Sequence, residues 1–302
     1  MRVAVTGATG FLGRHIITSL LPEHACRCWY RKDSNRDEIA SDQHADNLEW
    51  VPGQLGDEAS SAELVQGCDA VVHAALSRSG PSFRGGEGEL VQFVQTNLVG
   101  TLKLVQAAQA AGASRFIFIS TCAVHERILD DRLLDEAHPL WSTTHYGAHK
   151  AAIEKFVHSY GFGTNYTICA LRPTGIYGVA YPPQNSKWYD LVRRVARGEN
   201  VECERGGKEV HALDVARAIQ VLLKANSNSI MGESFNCYDM YVSEYQVARI
   251  AQELSGASGV IHGKAKQPKH QIETEKIRRL GMDFGGEPLL RQTIQEILER
   301  LS

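Results

Sequence analysis

Two side chains four residues apart supply the first chemistry in this sequence. In Tyr146-Gly147-Ala148-His149-Lys150 a phenol and an ammonium stand at i and i+4, so on a helix they project from one face, one turn apart. A free tyrosine ionises near pH ~10, too high for a base at neutrality, but an adjacent ammonium favours the phenolate. The pair then works as a general acid/base, moving a proton to or from a reacting oxygen. The same spacing also occurs in ordinary surface pairs, so its surroundings decide. Ile117-Phe118-Ile119-Ser120-Thr121 is patterned as a buried strand ending in two hydroxyls, at the carboxyl edge where open α/β sheets gather their ligands.

A second motif lies at the amino-terminal end. Thr6-Gly7-Ala8-Thr9-Gly10-Phe11-Leu12-Gly13 sets three glycines between an apolar strand, Arg2 to Thr6, and an apolar helical run from Phe11 to Leu21 closed by Pro22. There a pyrophosphate meets unpaired helix N–H groups and the positive end of the dipole. Gly7 permits the tight turn, Gly10 the close approach of backbone to phosphate, and Gly13 the packing of helix on strand; Thr9, Phe11 and Leu12 complete the cradle. Strand before and helix after favour a dinucleotide site over a plain structural turn. At the end of the second strand, where the adenosine ribose lies, stand Arg31 and Lys32 and no acid. Cations there welcome a 2′-phosphate, so NADP(H) is favoured over NAD(H), with Asp33 just beyond keeping NAD(H) open.

Elements must position these groups. Strands are expected at Cys26 to Tyr30, Leu48 to Val51, Ala70 to His73, Arg115 to Ser120 and Thr167 to Leu171, with one long helix from Glu89 to Ala111 and another from His145 to Tyr160. Alternation of strands and helices implies crossover connections and a mostly parallel sheet covered on both faces. Past Pro173 the alternation breaks into Gly/Pro/Tyr-rich loops, with helices near Asp190 to Arg197, Val215 to Ala225 and Leu289 to Leu301. The fold class is therefore α/β, a doubly wound parallel sheet over residues 1–172, with segments near 208–240 returning to it, and a smaller substrate lobe over 173–302.

Composition narrows the function. The chain of 302 residues is 43% hydrophobic and 22% charged, with a formal net charge of -3, so no field of one sign recruits nucleic acid or a membrane surface. No run reaches the ~18 apolar residues of a membrane span. The first residues enter the glycine motif directly, with no secretion signal, and the seven cysteines are scattered and odd in number. These features place the protein in the cytoplasm with reduced thiols and no disulfides. No His/Cys set has metal-ligand spacing.

Taken jointly, these motifs resemble the extended branch of the short-chain dehydrogenase/reductase superfamily, the NAD-dependent epimerase/dehydratase group. The likeness continues through Asp69-Ala70-Val71-Val72-His73-Ala74-Ala75, Asn97-Leu98-Val99-Gly100-Thr101, Leu171-Arg172-Pro173 with Ile176-Tyr177-Gly178, Val210-His211 with Asp214-Val215-Ala216, and Ile277-Arg278-Arg279-Leu280-Gly281. It implies a Rossmann-type fold in which Tyr146 is the acid/base, Lys150 binds the nicotinamide ribose and lowers the tyrosine pKa, and Thr121 hydrogen-bonds the reacting oxygen. Asn97 is implied in the catalytic set, on the long helix near the active site, Ala74 and Ala75 along the cofactor, and Pro173 and Thr174 beside the nicotinamide. Gln54, with Leu55 beside it, stands where the family often has an acid for the adenine amine, and Asp57 is the nearer acid. Cys122, Ala123, His125 and Tyr177 are the candidate substrate contacts, although for His125 the packing role is the favoured one.

Departures from the family matter as much. Cys122-Ala123 replaces the Asp-Glu pair of 4,6-dehydratases, which disfavours water elimination, and Gly207 stands where nucleotide-sugar enzymes usually carry an arginine. The expected activity is an NAD(P)-dependent oxidoreduction of a carbonyl or secondary alcohol on a small molecule. A sugar epimerase with retained NAD is the alternative, and a catalytically silent dinucleotide sensor the second. The resemblance also implies a homodimer through the helices that carry Asn97 and Tyr146.

Overall fold

A computed structural model describes residues 1–37, 39, 42–80 and 85–301. The chain divides into two compact units: Met1–Pro173, Val215–Cys237 and Ile272–Met282 form the first, and Thr174–Asp214, Tyr238–Gln271 and Asp283–Ser302 the second.

The first unit is built on strands β1 (Arg2–Thr6), β2 (Ala25–Tyr30), β3 (Leu48–Pro52), β4 (Ala70–His73), β5 (Arg115–Ile119) and β6 (Thr167–Pro173). After β7 (Gly175–Tyr177), β8 (Val201–Cys203) and β9 (Gly206–His211) of the second unit, the chain returns with β10 (Ser234–Cys237). The resulting sheet has seven strands in the order β10-β6-β5-β4-β1-β2-β3, all parallel. The central strands are near-continuous apolar runs because both faces are covered. On one face Ala4, Val71, Phe116, Phe118, Ile168 and Ala170 pack with residues of α2 (Glu58–Val65), α4 (Gly100–Ala110) and α5 (His145–Thr164). Val3, Val5, Val72, Ile117, Cys169 and Leu171 are equally buried on the other. The chain leaves β1 for β2 on one side and reaches β4 on the other, so the order reverses at Thr6 and His73, which are register partners. Crevices at such reversals are where doubly wound sheets take their ligands. The fold class is the one expected.

Two helices differ from expectation. The single helix expected over Glu89 to Ala111 is α3 (Leu90–Val94), a π-helical turn Gln95–Val99, and α4 in unbroken succession. An inserted π turn shifts the side chains after it around the helix and favours functional positions; Asn97 lies within this one. Helix α5 runs past Tyr160 to Thr164, with Gly161 and Gly163 inside it, and stops only at Asn165 in the left-handed region (φ 56°).

In the second unit β7 pairs parallel with β9, and β9 antiparallel with β11 (Met240–Ser243). Around them α6 (Tyr189–Ala196), α9 (Glu244–Ser255) and α11 (Gly286–Glu299) close a separate core of Tyr177, Val192, Val195, Val242, Val247, Leu290 and Ile294.

Candidate active site

The glycine turn ends β1. The Gly10 amide donates to the Gly7 carbonyl at 3.1 Å, and a Cβ on Gly13 would lie 2.1 Å from that same carbonyl oxygen, so only glycine lets α1 (Phe11–Leu20) leave so closely behind the turn. Gly10 caps α1 with no side-chain acceptor, which leaves first-turn amides available to an anion. A pyrophosphate therefore fits this cradle. Thr6 Oγ1 accepts the Ala75 amide at 3.1 Å, and the Asn97 carboxamide takes the Ser77 amide at 2.8 Å while donating to the Ser77 and Phe93 carbonyls, both at 2.9 Å. The Ala74–Ser77 stretch is thus pinned at two points. Asn97, expected among the catalytic residues, is buried and spends its carboxamide on main chain.

Beyond β2 an open hollow of about 500 Å³ is lined by Lys32, Asp33, Ser34, Asn35, Arg36, Asp37 and Trp50. Arg31 is exposed, with Ser34 Oγ accepting its amide at 3.0 Å. Arg36 is exposed as well, but its guanidinium carbon sits 4.2 Å from the centroid of Tyr30 and 5.9 Å from that of Trp50; the sequence reading missed it. It also missed Arg14, which donates to the carbonyls of Asp37 (2.6 Å), Asn35 (2.8 Å) and Thr9 (3.3 Å), tying the glycine turn to this loop. Gln54 is exposed and Leu55 packs on the core of the first unit. Asp57, the acid considered for adenine, is used otherwise: its carboxylate caps α2 at the Ser60 amide, 2.7 Å away.

The Thr/Tyr/Lys set gathers where α5 meets the end of β5. A Cβ on Gly147 would stand 2.7 Å from the Ala123 carbonyl oxygen, so a glycine after Tyr146 lets the helix press against the turn that follows Thr121. Lys150 Nζ donates to the Ile119 carbonyl at 2.7 Å and lies 4.5 Å from the Phe118 ring centroid. The helix therefore touches the chain two residues before and two residues after Thr121. Burial pushes the Lys150 ammonium down to about 7, against the opposing pull of Glu154. Thr121 Oγ1 accepts the Ala123 amide at 3.1 Å. Two carboxylates hold the start of α5: Glu87 Oε1 accepts the Tyr146 amide at 3.0 Å, and Glu126 Oε2 accepts the amides of Thr143 and Thr144 at 2.6 and 2.9 Å and both their hydroxyls. Tyr146 is half-buried, its ring 5.5 Å from that of His149.

Of the expected substrate contacts, Cys122 and Ala123 remain partly open at this turn. The Cys122 thiol donates to the Arg172 carbonyl at 2.9 Å, and burial pushes it up to about 12. His125 and Tyr177 are both buried, as the packing reading of His125 expects and the substrate reading of Tyr177 does not. His125 is 4% exposed and takes a bond from Arg172 Nη1 at 3.1 Å on Nε2. Tyr177 has no exposed surface and packs edge-on to His211 within the second unit's core. Pro173 closes β6 against Cys237, and Thr174 begins the second unit with a buried, unpartnered hydroxyl.

Beneath this turn lies a charged network. Arg172 grips Glu154 through Nε, 3.0 Å from both carboxylate oxygens, and through Nη2 at 2.5 Å from Oε2. Glu154 also accepts from the hydroxyls of Ser120 and Ser234. Burial alone would raise the Glu154 carboxyl, but the Arg172 charge and these hydrogen bonds bring it below its ordinary value.

A dinucleotide cradle at the sheet reversal and a Tyr/Lys pair held on the neighbouring strand end define an enzyme of the short-chain dehydrogenase type. Residues 3–237 match the NAD dependent epimerase/dehydratase family, and the chain belongs to it. The chain is 28% identical over 269 residues to dTDP-D-glucose 4,6-dehydratase of Mus musculus, covering 84% of this chain and 72% of that one. It is 31% identical over 240 residues to the 4-hydroxy-2-methyl-3-oxo-4-farnesyl-3,4-dihydroquinoline-1-oxide ketoreductase of Stigmatella aurantiaca, covering 70% and 68%. Among solved structures, DesIV, a dTDP-glucose 4,6-dehydratase from Streptomyces venezuelae with NAD and TYD bound, superposes with a TM-score of 0.77 over 99% of this chain and 97% of that one, at 24% identity.

Proposed function

We propose that this enzyme reduces a carbonyl, or oxidises the matching secondary alcohol, on a small molecule, with NADP(H) preferred over NAD(H). The observation that carries the reading is the seating of α5 on both sides of Thr121, through Gly147 at Ala123 and Lys150 at Ile119. When bound, a nicotinamide supplies or accepts the hydride. Tyr146 holds the proton exchanged with the reacting oxygen, the Thr121 hydroxyl orients that oxygen, and Lys150 favours the phenolate through its charge. Cys122 and Ala123 offer no acid/base pair for expelling water, which supports simple oxidoreduction over dehydration. The likeness to a ketoreductase points the same way. Arg36 and Lys32, both lining the hollow beyond β2, support a 2′-phosphate. The active form is a homodimer joined through the helices that carry Asn97 and Tyr146.

Tyr146→Phe is expected to lower turnover by about 10²- to 10⁴-fold while NADPH, titrated by its fluorescence, binds as in the wild type. Full activity in that variant, or tighter binding of NADH than of NADPH, defeats the corresponding part of the reading. Firmly retained NAD with no net redox change during turnover identifies a sugar epimerase instead.

A further inference from the structure

Among the buried polar groups that the proton transfer does not use, His73 has every partner accounted for. It ends β4 at the reversal of the sheet, opposite Thr6, and is 1% exposed. Its Nδ1 lies 2.6 Å from Thr6 Oγ1 and its Nε2 lies 2.8 Å from Thr101 Oγ1. The Thr101 hydroxyl donates its single proton to the Asn97 carbonyl at 2.5 Å, so toward His73 it can only accept, and Nε2 carries the ring proton. In the neutral ring Nδ1 is then bare and accepts from the Thr6 hydroxyl, whose lone pairs are left for the Ala75 amide. In this arrangement each proton finds an acceptor, and the bonds run in one direction from Ala75 through Thr6, His73 and Thr101 to Asn97. Burial, reinforced by the Lys150 charge, holds the ring down to about 3, so it stays neutral near pH 7.

The two ends of this relay are the two anchors of one segment. Thr6 holds Ala75 by its amide, and Asn97 holds Ser77 by both amide and carbonyl. We propose that His73 is a positioning residue for cofactor binding: it locks the Thr6 and Asn97 anchors to each other, so that the Ala74–Ser77 backbone is preset beside the glycine turn before a dinucleotide arrives. The inference rests on the cofactor reading given above, and it names the neutral Nε2–H imidazole, not a charge, as the preorganising group. Phe116 and Phe118, with ring centroids 6.1 and 5.8 Å from His73, offer an apolar wall that a phenyl ring could also occupy.

The test uses the full chain and NADPH as probe, with binding followed by fluorescence and folding by melting temperature. Thr101→Val keeps the side-chain shape and cuts the relay at the end remote from the glycine turn. It is expected to weaken NADPH binding about three- to tenfold, the equivalent of one neutral hydrogen bond, and Thr101→Ser to restore it to within about twofold of wild type. His73→Phe combined with Thr101→Val should bind no more weakly than His73→Phe alone, because both cut one chain of bonds. A lowered melting temperature with unchanged NADPH affinity in Thr101→Val, failure of Thr101→Ser to restore binding, or additive losses in the double variant overturns the proposal. Should His73→Phe not fold, the Thr101 pair decides alone. A wild-type chain that binds neither NADPH nor NADH instead brings down the cofactor reading itself.

Discussion

The Glu154–Arg172 network and the His73 relay fasten neighbouring strand ends of one sheet to its helices, and they do so with opposite electrostatics. The first joins α5 to β6, to Ser120 beyond β5 and to β10 by a buried ion pair with two hydroxyl donors. The second joins β1, β4 and α4 to the π turn with four neutral bonds. Buried charges need complete pairing, so the ionic network tolerates the loss of neither partner. A neutral relay loses one bond at a time and can be tuned in small steps. The ionic network stands under the turn at Thr121, and the neutral relay stands by the glycine turn, where an anionic ligand would perturb any fixed charge.

Acidification should produce the largest difference. Burial holds His73, His149 and His125 down to about 3, 3 and 4, below their ordinary 6.5. Below pH 6.5 the unfolded chain gains protons that the folded rings refuse, so stability falls with pH, by about 2 kcal/mol per ring at pH ~5. Glu154, held below its ordinary 4.5, contributes stability above that value and loses it only as pH falls further. Denaturant titrations from pH ~7.5 to ~5 should therefore show a steep loss assigned to histidines; a flat profile breaks the account of neutral rings. Next in size is Arg172→Met, which strands Glu154 without a cation and is expected to destabilise by about 3–5 kcal/mol. Adding Glu154→Leu should recover much of that loss, and failure to recover would mean that the pair does more than neutralise itself. The smallest effect is expected for Ser234→Ala, which removes one donor at 3.1 Å from Glu154. About 1 kcal/mol is expected, and a loss comparable to that of Arg172→Met would erase the distinction between charge and neutral bond.

What was legible in the sequence follows from which forces are local. The apolar runs of β1, β4, β5 and β6, the glycine spacing and the i,i+4 Tyr/Lys pair are written in residue type and period, so the sheet and both motifs could be read directly. The π turn could not, because its inserted residue leaves the apolar period of the long helix almost intact. Side-chain capping was equally hidden: Asp57 was weighed as an adenine contact when its position before Ser60 made it an N-cap. Tyr177 was read as a substrate contact while packing was favoured for His125, and residue type alone does not say whether a polar aromatic ends in a pocket or in a core. The partners of His73 and Arg36 come from distant elements, and only the folded chain brings them together.

The π turn Gln95–Val99 carries one extra residue relative to an α-helix of the same span. Deleting a single codon there would regularise the helix and shift Asn97 around its axis, away from its bonds to Ser77. A single deletion thus offers a route to unfasten the Ala74–Ser77 segment of this fold while leaving Tyr146 and Lys150 in place.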